Sequence, residues 1–364
     1  MATDDLTRRS VLRLFGMAAL FRQQALQPKA LPFPKGAIIR TLLKDIPPDA
    51  LAGGPVLFHE HLSMHFPPQA KEHFTDDVAM MIDEVRAARA DGIACIVDGG
   101  HPDMSRSLDA LKRIATGSGM PIVASGGYYM QRTYPPEIAG KSAAQIADEL
   151  ARDAAVQHLG AFGEIGQQSG VLTDDEKKVF EAVARAHART GLPIFTHNAY
   201  TGTRPTQNPV PPDAALRQLD VLEDAGAKPE HIAIGHVCCL DDPKADVMKQ
   251  IAKRGAFVAF DRVTRQQQWV SDEHRLHMIQ AFLDAGYVAH LLLASDNIGA
   301  LNPSTGEQSF YPGPLHARDG GPGYARPLLL FVPLMRKAGI KEETIKKITV
   351  DNPRRWLSFV PKGA

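Results

Sequence analysis

Eight short apolar runs, each followed by an amphipathic segment or a long loop, recur along the chain from Val56 onward. The runs predicted as strands are Val56–His61, Ile93–Gly99, Pro121–Gly127, Ala161–Ile165, Pro193–His197, His231–His236, Ala256–Asp261 and His290–Asp296. Helical spacing covers Val78–Asp91, Arg106–Thr116, Ala143–His158, Asp174–Thr190, Pro212–Ala225, Lys244–Arg254 and Asp272–Ala285, several of them closed by glycine as a helix stop. Runs such as Ile232-Ala233-Ile234 and Leu291-Leu292-Leu293-Ala294 are wholly apolar, as parallel strands covered on both faces require. Such an alternation predicts one closed (β/α)8 TIM barrel, a single α/β domain over 36–364.

The polar residues fall where such a barrel does its chemistry. His59 and His61 end the first strand, Glu164 lies near the end of the fourth, His197 ends the fifth, His236 the sixth and Asp296 the eighth. Reaction sites of these barrels lie at the carboxyl ends of the strands, so the six side chains should converge on one mouth. The pair His59-x-His61 shares one face of a strand, a rigid arrangement for chelating a metal with two imidazoles.

These motifs together resemble the phosphotriesterase-like branch of the amidohydrolase superfamily. The matching stretches are His59-Glu60-His61, Gly163-Glu164-Ile165-Gly166, Thr196-His197, Gly235-His236, Asp261-Arg262, Ser295-Asp296 and the terminal Asp351-Asn352-Pro353-Arg354-Arg355-Trp356-Leu357, spread over Gly36 to Val360. Many members carry on the fourth strand a lysine that becomes carboxylated and bridges two metals; here Glu164 stands instead, as in another branch. A glutamate offers one oxygen to each of two cations without added CO2.

The resemblance implies two divalent cations, zinc being expected from the histidine-rich set. His59, His61 and Asp296 would hold one, His197 and His236 the other, with Glu164 bridging. A hydroxide shared by the metals would be the nucleophile, since bound water is acidified toward neutral pH. Asp296 would orient it and carry its proton to the leaving group. Tyr128 and Arg262 resemble pocket positions of lactonase members, and a phenol and a guanidinium suit a carbonyl or carboxylate. The expected reaction is hydrolysis of a small ester, lactone or N-acyl amide. Phosphotriester hydrolysis, a mononuclear deaminase and a non-catalytic metal-binding barrel are the alternatives. A homodimer is expected because dimers are common in the family.

Around this centre, Asn297 to Arg326 is rich in Gly and Pro and predicts a lid over the mouth, with Phe310 and Tyr311 as its apolar wall. His101 is expected near the mouth, while His65 and His73 lie beyond the first strand. Cys238-Cys239 lacks a second pair for a zinc ribbon and reads as buried packing. No Gly-x-Ser-x-Gly elbow and no Gly-rich phosphate loop after the first strand is present, which argues against a serine hydrolase and a dinucleotide fold. With 41 basic and 41 acidic residues, the composition gives no support to nucleic-acid binding.

The first 35 residues have a different character. Thr7-Arg8-Arg9-Ser10-Val11-Leu12-Arg13 followed by Leu14 to Phe21 resembles a twin-arginine export signal, with a linker from Gln27 to Pro34 and a periplasmic destination. Arg13 interrupts the apolar run and Arg22 ends it, so a short basic helix on a cytoplasmic protein is the alternative.

Overall fold

The computed structural model describes residue 31 and residues 33–65, 74–201, 210–264, 270–297 and 316–362. A small antiparallel ribbon, β1 (Ile39–Arg40) with β2 (Asp45–Ile46), comes first. The barrel strands are β3 (Val56–Glu60), β4 (Cys95–Asp98), β5 (Ile122–Gly126), β6 (Ala161–Gly166), β7 (Ile194–His197), β8 (Ile232–Ile234), β9 (Phe257–Phe260) and β10 (Leu291–Leu293). They pair in parallel in sequence order, giving one eight-stranded sheet. Its two outer strands meet at their carboxyl ends, where Asp296 N donates to His59 O at 3.1 Å and His61 N to Asn297 O at 2.9 Å. The sheet is a nearly closed barrel.

Helices α1 (Val78–Ala90), α2 (Leu108–Ser118), α3 (Ala143–Val156), α4 (Asp174–Thr190), α5 (Ala214–Asp224), α6 (Asp246–Lys253) and α7 (Asp272–Asp284) alternate with the strands. Their starts are written in the sequence. Thr173 accepts from Glu176 N while Glu176 reaches back to Thr173 N, a capping box that begins α4, and Gly191 at φ +81° stops it. The expected start of α2 at Arg106 moves to Leu108 because Ser107 is its N-cap. Three short helices, α8 (Val332–Lys337), α9 (Glu342–Lys346) and α10 (Asn352–Leu357), complete the described chain. Among the described residues no helix is long and apolar enough to cross a membrane.

Two apolar layers hold the barrel. Leu57, Ile96, Ile122, Phe162, Ile194, Ile234, Val258 and Leu291 point outward onto the helices. Val56, Phe58, Val97, Val123, Phe195, Phe257 and Leu292 fill the interior. Trp356 of α10 joins this inner layer, edge-on to Phe58 and Phe195, and donates to the carbonyl of Ile194, the first residue of β7. The barrel is thus plugged at the end opposite the mouth.

Four expected strand limits are corrected. His231 and His290 sit in single 3-10 turns before β8 and β10. His236 and Asp296 lie beyond the last paired residues of those strands, in the left-handed region at φ +58° and +46°.

Candidate metal centre

The six strand-end residues lie together. Oε1 of Glu164 faces His61 Nε2 at 3.3 Å. Oε2 faces His59 Nε2 at 3.4 Å, His197 Nδ1 at 3.0 Å and His236 Nε2 at 3.3 Å. Asp296 Oδ1 is 3.2 Å from His61 Nε2 and 3.8 Å from His59 Nε2. Ligand atoms of His59, His61, Glu164 and Asp296 all fall within 4.8 Å of one another, and those of Glu164, His197 and His236 form a second such group. One carboxylate is common to both groups.

Local backbone irregularities make this possible. The register of β3 against β4 shifts between Leu57 and Glu60. Phe58 belongs to the inner core, yet its neighbour His59 also reaches the central Glu164, as a bulge allows and strict alternation does not. A second shift, between Phe162 and Ile165 on β6, brings Glu164 inward although Phe162 two residues before it faces the helices. Gly99, just past β4, leaves room for the imidazoles: a Cβ there would lie 3.1 Å from His59 Cδ2 and 3.2 Å from His61 Cε1.

Asp261 orients two of the rings. Its Oδ2 is 3.0 Å from His59 Nδ1 and its Oδ1 3.0 Å from His236 Nδ1, while His236 N donates to the same carboxylate. With both Nδ1 atoms occupied, each ring turns its Nε2 toward Glu164. His59 Nε2 is buried with no hydrogen-bond partner. A desolvated, unpaired imidazole nitrogen beside two carboxylates is what a metal ligand looks like before its ion is counted, so the residues fit a divalent cation.

Carboxylates and burial set the electrostatics of the cluster. Burial pulls the His59 imidazole down, but Glu164 and Asp261 hold it well above its ordinary value. Against the same burial, Asp296 and Glu164 raise His61 to about 9. Asp261 does so for His236, also to about 9. His197 is pushed down to about 4 by burial, which outweighs the opposing pull of Glu164. Burial raises the Glu164 carboxyl, yet His59 and His197 hold it well below the carboxylate range. Glu164 is therefore ionised and able to act as a ligand.

A profile of the Phosphotriesterase family matches residues 41–357. The chain belongs to the phosphotriesterase family. Its members are binuclear metal-dependent hydrolases, and this chain is a hydrolase of that family with a cluster of candidate metal ligands where the barrel chemistry lies. The phosphotriesterase homology protein of Escherichia coli (strain K12) is 26% identical over 312 residues, covering 84% of this chain and 98% of that protein. Its crystal structure, with phosphate in the active site, aligns with a TM-score of 0.70, 25% identity and coverage of 84% of this chain and 99% of that one. The N-acetyltaurine hydrolase of Xenopus tropicalis is 25% identical over 375 aligned positions, covering 88% of this chain and 98% of that protein. A lactonase from Listeria monocytogenes shares the fold with a TM-score of 0.73 at 24% identity, over 88% of this chain and 99% of that one.

Of the expected pocket residues of this phosphotriesterase-family chain, one comes to the centre and one does not. Arg262 Nε lies 3.5 Å from Asp296 Oδ2, an ion pair with Asp296 and not with the adjacent Asp261. Tyr128 packs on the outer core beside Tyr134, and burial, with Glu149 and Asp153 of α3, raises its phenol to about 12. The tyrosine that reaches the cluster is its neighbour. Tyr129 stacks edge-on to His197 at 4.9 Å and its hydroxyl is 3.2 Å from His197 Nδ1. With Met64, Met104 and Met130 it forms a separate apolar group. Adjacent tyrosines after a strand gave no means of choosing between them.

The remaining expectations resolve as follows. His101 is fully buried, with Nδ1 3.6 Å from Asp103 Oδ1. His65 faces Asp76 at 3.0 Å. Cys238 and Cys239 are buried, Cys238 Sγ accepting from Arg262 N at 3.4 Å. His73, Phe310, Tyr311, most of the expected lid and the twin-arginine segment lie outside the described residues.

Proposed function

We propose that this chain hydrolyses a small carboxylic derivative, an N-acyl amide, lactone or ester, with the help of two divalent cations, zinc first. The observation that carries this reading is Glu164, whose two oxygens face different members of one histidine cluster. His59, His61 and Asp296 would hold one cation, His197 and His236 the other, and Glu164 both. When bound, the pair would supply an acidified water at neutral pH.

The chain's own residues do the rest. Asp296 turns Oδ1 toward His61, and its Oδ2, 3.5 Å from Arg262 Nε, would accept a proton and pass it to the leaving group. Arg262 can also present its guanidinium to a substrate carboxylate or developing oxyanion. Tyr129 takes the part first assigned to Tyr128, since its hydroxyl is beside His197. The names of two similar proteins, an N-acetyltaurine hydrolase and a lactonase, support a carboxylic substrate. The phosphate bound by the Escherichia coli protein keeps phosphotriester hydrolysis as the second reading.

The test is proton release in a pH-stat from zinc-loaded protein given panels of N-acyl amides, lactones and phosphotriesters, with Asp296→Asn as control. Release from the first two panels that vanishes in the control is expected. Release from phosphotriesters alone, or from none of the panels, would overturn the carboxylic reading. Dimerisation and twin-arginine export belong to the same proposal, to be read by light scattering and by fusing residues 1–35 to a reporter that works only in the periplasm.

A further inference from the structure

Between the two chelating histidines stands Glu60, which is fully buried and points away from the cluster they form. Its Oε1 accepts from Ser295 N and from Ser295 Oγ, both at 2.9 Å. Its Oε2 accepts from Asn297 N at 2.6 Å and again from Ser295 Oγ at 2.9 Å. The two residues so held are those on either side of Asp296. Asp296 itself is in the left-handed region at φ +46°, a conformation that costs an ordinary residue free energy and persists only where its surroundings enforce it. Its N donates to His59 O at 3.1 Å, which ties it to the strand that carries Glu60.

We infer that Glu60 is the positioning residue for Asp296: by gripping Ser295 and Asn297 it sets the turn that aims the Asp296 carboxylate at His61. Backbone on both sides of Asp296 is fixed from β3, the strand that also supplies His59 and His61, so the three side chains move as one unit. A carboxylate suits this work because every group that meets it is a donor, and a buried anion is stabilised by several charge-assisted hydrogen bonds. The inference rests on the metal-centre reading above for its functional consequence but not for its geometry.

Glu60→Gln is the first variant, since its amide nitrogen must face a donor that the carboxylate accepts from. Ser295→Ala is the second, removing the hydroxyl alone and leaving the backbone donors in place. Cobalt(II) is titrated into each folded, metal-free protein and followed by visible absorbance, together with hydrogen exchange of the Asp296 amide. In Glu60→Gln the affinity for one of two cobalt equivalents should fall about 10–100-fold, as for loss of other outer partners of metal ligands. The second equivalent should change little, and the Asp296 amide should exchange faster. Ser295→Ala should shift both readouts in the same direction by less, and it decides the matter if Glu60→Gln does not fold. A folded variant whose Asp296 amide stays protected and whose two cobalt equivalents bind as in the wild type would overturn the inference. A wild type without hydrolytic activity, or binding fewer than two ions, would count against the proposed function while the amide exchange still decides the role of Glu60.

Discussion

The Nδ1 of His59 lies 3.0 Å from Oδ2 of Asp261, and neither atom reaches solvent. Because Asp261 also meets His236 Nδ1 at 3.0 Å, one carboxylate fixes the tautomer of two rings on β3 and beyond β8. Asp261→Asn would offer an amide N–H to one of them, and that ring must then place a proton on the Nε2 facing Glu164. Metal affinity in a chelator competition should fall about 10–100-fold, with little change in far-ultraviolet circular dichroism. Unchanged affinity would show that Asp261 does not orient the rings.

Tyr129 and Tyr128 can be separated by removing one oxygen from each. Tyr129→Phe should lower kcat roughly tenfold with metal content intact, the effect of one hydrogen bond worth about 1–1.5 kcal/mol. Tyr128→Phe, on the outer core, should leave kcat near wild type. The reverse order in steady-state kinetics would restore Tyr128 to the pocket.

Gly99 makes room for the metal-facing imidazoles. A methyl group there meets His59 and His61 at 3.1–3.2 Å, tighter than ordinary contact, so both rings must shift by a few tenths of an ångström. Gly99→Ala should destabilise by about 1–3 kcal/mol in thermal melts, as overpacking does, and weaken metal binding with it. A melt and a metal affinity equal to wild type would show that the rings can yield freely.

Away from the site, His187 gives a pH dependence. Burial pushes its imidazole down to about 4 from 6.5, with His231 and Lys362 acting the same way and the Leu192 carbonyl and Glu230 against. The folded protein therefore resists protonation there, while the unfolded chain takes up a proton near pH 6.5. Stability from this residue is fully present above about 6.5 and is lost as pH falls toward 4, amounting to at most about 3 kcal/mol. His187→Gln should flatten that part of the melting-temperature profile. An identical slope in the variant would show that His187 does not titrate this way.

Much of this architecture was legible along the chain. Each of the eight strands overlaps an apolar run, and α4 spans the very residues whose spacing and capping predicted it, because periodicity and caps act within a few residues of one another. His59, His61, Glu164, His197, His236 and Asp296 could be picked out because a parallel barrel gathers the carboxyl ends of its strands, so position along each run translates into position at the mouth. The apolar Trp356 of the last helix could be named in a motif, though not as the plug of the barrel.

What the amino-acid sequence determined by itself was the repeat of strand and helix and the set of side chains brought to one end. Only the tertiary structure decided which way those side chains face. Strict alternation would set His59 opposite Phe58 and Glu164 on the side of Phe162, and register shifts in β3 and β6 reverse both outcomes. The same holds for Tyr129 over Tyr128, and for Glu60 reaching Ser295 and Asn297 across 235 and 237 positions of chain. The reason is physical: a one-residue slip changes no local propensity, yet its benefit, burying and pairing charged groups from distant strands, exists only once the ring of strands has come together.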